Sequence, residues 1–151
     1  MKGFLLKRPL SPEEKETLSG LPGGALLAEK LQGALPCISL AEHAALSTAF
    51  SNDVDPGLVF AQQVWGYGRP GDVLMGISTS GNAKNVCSSI IAARARGMRT
   101  IGLTGRGGGQ LGELCDTTIR VPADETFRIQ EYHLPVYHAL CAMLESAFFS
   151  A

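Results

Sequence analysis

Asp72-Val73-Leu74-Met75-Gly76-Ile77-Ser78-Thr79-Ser80-Gly81-Asn82 reads as a buried strand that runs straight into a polar turn. Its apolar run is continuous rather than alternating, as expected of a parallel strand covered on both faces. Three hydroxyl residues and a glycine follow, and then a helix through about Ala95. In open α/β sheets ligands bind where strands end. Capping the helix would use one hydroxyl. Three hydroxyls, a flexible glycine and the free N–H groups of a helix start converge in the way a phosphate monoester requires.

The same pattern extends along the chain. Arg99–Thr104 is a second apolar strand, followed by a glycine-rich turn at Gly105–Gly109, a short helix Gln110–Leu114 and a strand Thr117–Val121. Upstream, Leu35–Leu40 reads as a strand and Ala41–Phe50 as a helix. Leu58–Trp65 reads as a second helix, ended by Gly66, Gly68 and Pro70. Asp55 and Pro56 suit its first turn. Strands alternating with helices predict an α/β fold, a doubly wound, flavodoxin-like parallel sheet with helices on both faces. Residues 1–151 are expected to form one domain. Residues 11–33 form a peripheral pair of helices around Leu21-Pro22-Gly23-Gly24, opened by Ser11 as N-cap, Pro12 and two acids. The last helix, about Glu125 to Phe149, carries an apolar band wide enough to predict burial on more than one side. Pro135 within it should kink the helix or mark its true beginning.

Composition narrows the function. A chain of 151 residues with a formal net charge of -1 has no broad positive field to gather nucleic acid or an anionic membrane. Its four cysteines, Cys37, Cys87, Cys115 and Cys141, show no zinc-site spacing and read as buried free thiols. The apolar run near Met1 is too short for a signal-peptide core, and no stretch approaches the ~20 apolar residues of a membrane helix. A cytoplasmic protein is expected.

Several other positions could carry chemistry. Gly105-Arg106-Gly107-Gly108-Gly109 lacks the GKS/GKT ending of a P-loop and reads as a structural turn. Gln130 and His138 lie eight residues apart in the final helix and can share a face, with His133 at another angle. A histidine on an apolar helix is more often a satisfied core residue than a catalyst, although its pKa suits proton transfer. Asp53, beside Asn52, can cap a helix or hydrogen-bond sugar hydroxyls.

Six segments, Asn52-Asp53, Phe60–Val64, Pro70–Leu74 with Gly76–Asn82, Leu103-Thr104-Gly105, Arg120-Val121-Pro122 and Arg128–His133, together resemble the phosphoheptose isomerase branch of the sugar isomerase (SIS) superfamily over residues 34–148. The resemblance implies a homo-oligomer, dimer or tetramer, that interconverts sedoheptulose 7-phosphate and its aldose isomer by proton transfer, often with zinc. It assigns Ser78, Thr79, Ser80 and Asn82 to the phosphate loop and Asp53 and Asn52 to the sugar. Gln130 and His138 become C-terminal site residues, with His138 the base or acid, or a zinc ligand beside Gln130.

The sequence also departs from that pattern. The family's N-terminal helix, first strand, Gly-Asn-Gly-Gly-Ser loop and glutamate-bearing helix have no counterpart here, and Met1-Lys2-Gly3-Phe4 aligns just after them. The missing glutamate is half of the acid–base pair and a metal ligand. Ala83 replaces a loop serine, and the 11–33 segment is longer than the usual connection. These departures leave two further expectations beside an isomerase completed by another segment. One is a non-catalytic phosphosugar-sensing or protein-binding module, and the other is an oligomerising scaffold.

Overall fold

The computed structural model describes residues 8–149. The chain divides into two compact units, one formed by Met1–Ile38 with Val136–Ala151 and the other by Ser39–Pro135. The Met1–Lys7 run considered above lies outside the described residues.

In the first unit, α1 (Pro12–Ser19) and α2 (Gly24–Lys30) pack as a helical hairpin. α1 begins with the expected capping box. The Ser11 hydroxyl accepts from the Glu14 N–H, and the Glu14 carboxylate accepts from the Ser11 N–H at 2.8 Å, satisfying two donors that a helix start leaves free. Arg8 is buried, with Nη1 3.6 Å from Glu145 Oε1 and its guanidinium 5.2 Å from the centre of the Phe149 ring. Its backbone is held by Gln32 and Gly33, as Arg8 N–H donates to Gln32 Oε1 at 2.8 Å and Arg8 O accepts from Gly33 N–H at 2.7 Å.

The second unit holds α3 (Ala44–Asp53), α4 (Val59–Tyr67), β1 (Val73–Ile77), α5 (Lys84–Ala95), β2 (Arg99–Thr104), α6 (Leu111–Leu114) and β3 (Thr117–Arg120). The strands form a parallel sheet in the order β1-β2-β3. Register places Gly76 beside Gly102 and Ile77 beside Leu103, which brings the turns after β1 and β2 side by side. α5 and α6 cover one sheet face around a core of Cys87, Ile90 and Leu111, with Leu74, Val86, Leu114 and Cys115 packed against it. Gly76 is required there, because a Cβ would stand 2.9 Å from Val86 and 3.3 Å from Ile90. Asp55 caps the turn before α4, its carboxylate accepting from Gly57 N–H at 2.6 Å.

α7 (Thr126–Phe149) passes from the second unit into the first. It starts at Thr126 and runs through Pro135, so the proline is not the beginning of the helix. Within the single chain the apolar band expected to be buried on more than one side is buried only in part. Ile129 and His133 are buried, but Leu134, Tyr137, Met143, Leu144 and Phe148 are exposed.

A second correction concerns Leu35–Leu40, which forms no strand; a short 3₁₀ turn, Leu40–Glu42, follows it. A strand exists only where a neighbour takes up its backbone groups. Among the described residues β1 has β2 on one edge and no strand on the other, so that edge offers no second ladder. Cys37 is consequently exposed rather than buried, while Cys87 is buried as expected. Among the described residues, no helix is long and apolar enough to cross a membrane.

Candidate functional site

The turn after β1 leaves part of its hydrogen-bonding capacity unused. α5 has Ala83 as N-cap with no side-chain cap bond, so the three hydroxyls are not consumed as caps. Ser78 is buried, and its Oγ accepts at 3.4 Å from Ala83 N–H. Ser80 is exposed, and its Oγ accepts at 3.1 Å from Asn82 N–H. Both hydroxyls act as acceptors toward the protein and so retain their protons for a ligand. Thr79 is half-buried, and its hydroxyl has no partner among the described residues. The first-turn N–H groups of α5, at Lys84 and Asn85, have no intrahelical acceptor by helix geometry. Donors with the dipole of a 12-residue helix behind them suit an anion.

The glycine-rich turn after β2 packs directly on this loop. Gly105 N–H donates to Thr79 O at 2.9 Å and Leu111 N–H to Gly81 O at 3.0 Å. Gly81 has φ +69°, and a Cβ there would stand 2.6 Å from the Gly108 carbonyl carbon. Gly105–Gly109 is structural, as its sequence suggested, but the structure it maintains is that of the neighbouring loop. Beneath it the Cys87 thiol donates to Gly81 O at 3.7 Å. Burial pushes the thiol's pKa up, so it remains protonated.

The remaining candidates are more scattered. Asn52 and Asp53 end α3, both exposed, with Asn52 Nδ2 donating to Asp53 Oδ1 at 2.8 Å. Gln130 and His138 are exposed on α7, the first in the sheet-bearing unit and the second in the other, where its ring meets Tyr137 edge-on at 4.9 Å between centres. As a metal set they supply two donors, one an amide, where a catalytic zinc keeps three protein ligands. Among the described residues no three His, Cys, Asp or Glu side chains gather around one point. The described donors therefore do not make up a zinc site.

Two residues to which the sequence reading gave no site role stand out in the structure. His133 is buried, and its Nε2 has no hydrogen-bond partner among the described residues. Its place among the apolar residues of the last helix, where a core histidine is the commoner case, was the signal. Arg120 ends β3 opposite Thr104. Its guanidinium lies against the glycine turn, 2.6 Å from where a Cβ of Gly108 would be. A strand-terminal arginine is the signal that identifies it.

A parallel α/β sheet with a hydroxyl-rich loop at the carboxyl end of its first strand matches a known domain class. The SIS domain family matches residues 23–105, and the chain belongs to that family. Within it the relatives are phosphoheptose isomerases. The enzyme of Rhodospirillum rubrum is 46% identical over 121 residues, covering 80% of this chain and 64% of the relative. That of Sulfurimonas denitrificans is 36% identical over 148 residues, covering 91% and 76%. Among solved structures, phosphoheptose isomerase GmhA from Neisseria gonorrhoeae superposes with a TM-score of 0.70 at 43% identity, over 72% of this chain and 61% of that one. The Francisella tularensis phosphoheptose isomerase gives 0.73 at 36% identity, over 76% and 62%. The chain spans about three-fifths of the length of most of these relatives.

Proposed function

We propose that the chain binds a phosphorylated sugar at Ser78–Asn82 and serves ketose–aldose isomerisation of sedoheptulose 7-phosphate. The observation that carries this reading is the loop itself. Ser78 and Ser80 accept from backbone N–H groups and keep their protons, Thr79 has its hydroxyl unused, and the start of α5 faces the same turn. The relatives' names supply the class of sugar, a phosphoheptose.

Isomerisation of the ketose to the aldose moves one hydrogen from C1 to C2 and one hydroxyl proton from O1 to O2, in the same direction. His138 is the side chain we assign to carry one of these protons, with Gln130 hydrogen-bonding the sugar oxygens and Asp53 and Asn52 its hydroxyls. A second proton carrier has to come from outside the residues considered so far, and a zinc ion on Gln130 and His138 would need further donors in the same way. A homo-oligomer accords with the exposed Tyr137, Met143, Leu144 and Phe148 on α7, an unusual density of apolar side chains for a free surface. Four free cysteines accord with a reducing, cytoplasmic setting.

Thermal-shift titration with sedoheptulose 7-phosphate, with inorganic phosphate as control, tests the binding. Ligand at a hundredfold its Kd stabilises by about 2.7 kcal/mol. A shift beyond the phosphate control, with conversion of the sugar, is the expected result. Binding without conversion would favour a phosphosugar-sensing module, and no shift with either ligand would refute the site.

A further inference from the structure

We infer that Asn82 is a positioning residue that latches the phosphate loop to the glycine-rich turn, and that it does not bind substrate through its side chain. The inference rests on the sugar-phosphate reading of that loop and reassigns one of its members. The side-chain amide is engaged at both ends. Asn82 Oδ1 accepts from Gln110 N–H at 2.9 Å, and Asn82 Nδ2 donates to Ser80 O at 3.1 Å. One planar group thus joins the turn after β2 to Ser80, whose side chain is exposed in the turn after β1. Each end keeps one further hydrogen-bonding position, but the two bonds already made fix the plane of the amide, so the protein rather than a ligand sets its orientation.

The surrounding backbone is fitted to the latch. Gly109 has φ +53°, and a Cβ there would stand 2.8 Å from Asn82 Oδ1 and closer still to the Ser80 carbonyl oxygen. Gly81 meets Gly108 equally tightly. The two turns approach to a distance that only glycines permit, and Asn82 is the side chain that bonds across the gap. Donors fixed before the anion arrives cost no ordering on binding, so the latch acts on affinity through Ser78, Thr79 and Ser80.

The test uses the full chain carrying Asn82→Ala, Asn82→Asp or Gly109→Ala, with amide hydrogen exchange of the free protein and calorimetric affinity for inorganic phosphate and sedoheptulose 7-phosphate. In Asn82→Ala the Gln110 amide should exchange roughly 5- to 30-fold faster, as for loss of one or two hydrogen bonds, with the Leu103 amide unchanged. Phosphate affinity should fall in parallel. Asn82→Asp keeps the acceptor for Gln110 and should restore that amide's protection. Gly109→Ala touches no ligand, yet should lower affinity too. Lost affinity with unchanged Gln110 exchange would make Asn82 a direct ligand and overturn the inference, as would unchanged exchange alone. If the wild-type chain binds neither anion, the sugar-phosphate reading falls, and the exchange comparison still decides whether the latch exists.

Discussion

Replacing Gly81 by alanine should do more damage than its single methyl group suggests. Gly81 has φ +69°, and its Cβ would stand 2.6 Å from the Gly108 carbonyl carbon and 3.0 Å from Gly109 N. The left-handed backbone alone costs an L-residue about 1–2 kcal/mol. The clash is with backbone, which no rotamer change relieves, so the turns must part and the bonds Leu111 N–H to Gly81 O and Gln110 N–H to Asn82 Oδ1 are lost. At about 1 kcal/mol each the total becomes roughly 3–4 kcal/mol. For a protein of this size each kcal/mol moves Tm by roughly 2–4 °C, predicting a fall on the order of 6–16 °C. Trp65 is the only tryptophan and lies in the same unit, so its fluorescence reports the transition. Gly107→Ala is the control, because no atom lies within 4 Å of its Cβ position and its φ is not positive; it should stay within about 0.5 kcal/mol of wild type. Equal melting of the two variants would refute the packing of one loop on the other.

Alkylation at mild alkaline pH should label exposed Cys37 well before Cys87, whose burial both shields the thiol and raises its pKa; mass spectrometry showing equal rates would contradict this core. Glu145→Ala should destabilise the first unit by about 3–5 kcal/mol, since it strips one partner from the buried pair with Arg8, and urea titration would measure the loss. The pKa of Asp116 is lowered because its carboxylate accepts from Thr100 N–H and Thr100 Oγ1–H. A lowered folded-state pKa gives stability that is present above the usual carboxylate range and lost as pH falls through it. Asp116→Asn should therefore show a shallower fall in Tm between about pH 5 and pH 3, and an unchanged slope would count against that contact.

The central β1–turn–α5 and β2 elements were readable because each carries its own signal, an apolar run followed by hydroxyls or glycines and then a helical stretch. β2 falls at Arg99–Thr104 as expected, and Ser11 and Asp55 act as the caps their positions suggested. Leu35–Leu40 has the same local signal and still forms no strand, because pairing is a property of two segments and, among the described residues, no strand lies beside it. The hydroxyl loop between β1 and α5 was legible from residue type alone. The bonds of Asn82 were not, since the Gln110 N–H it receives is 28 residues away. The apolar band of α7 was visible, but which side of it meets this chain depends on neighbours that periodicity does not name.

The pairing of Arg8 with Glu145 bears on the order in which the chain assembles. Ser39–Pro135 is continuous and can collapse as soon as it has been synthesised, whereas the unit containing Arg8 and Glu145 must wait for residues from beyond it. Closing so large a loop is entropically slow. The sheet-bearing unit is thus placed to fold first, while α1 and α2 remain without the helix that buries Arg8 until translation has passed Glu145.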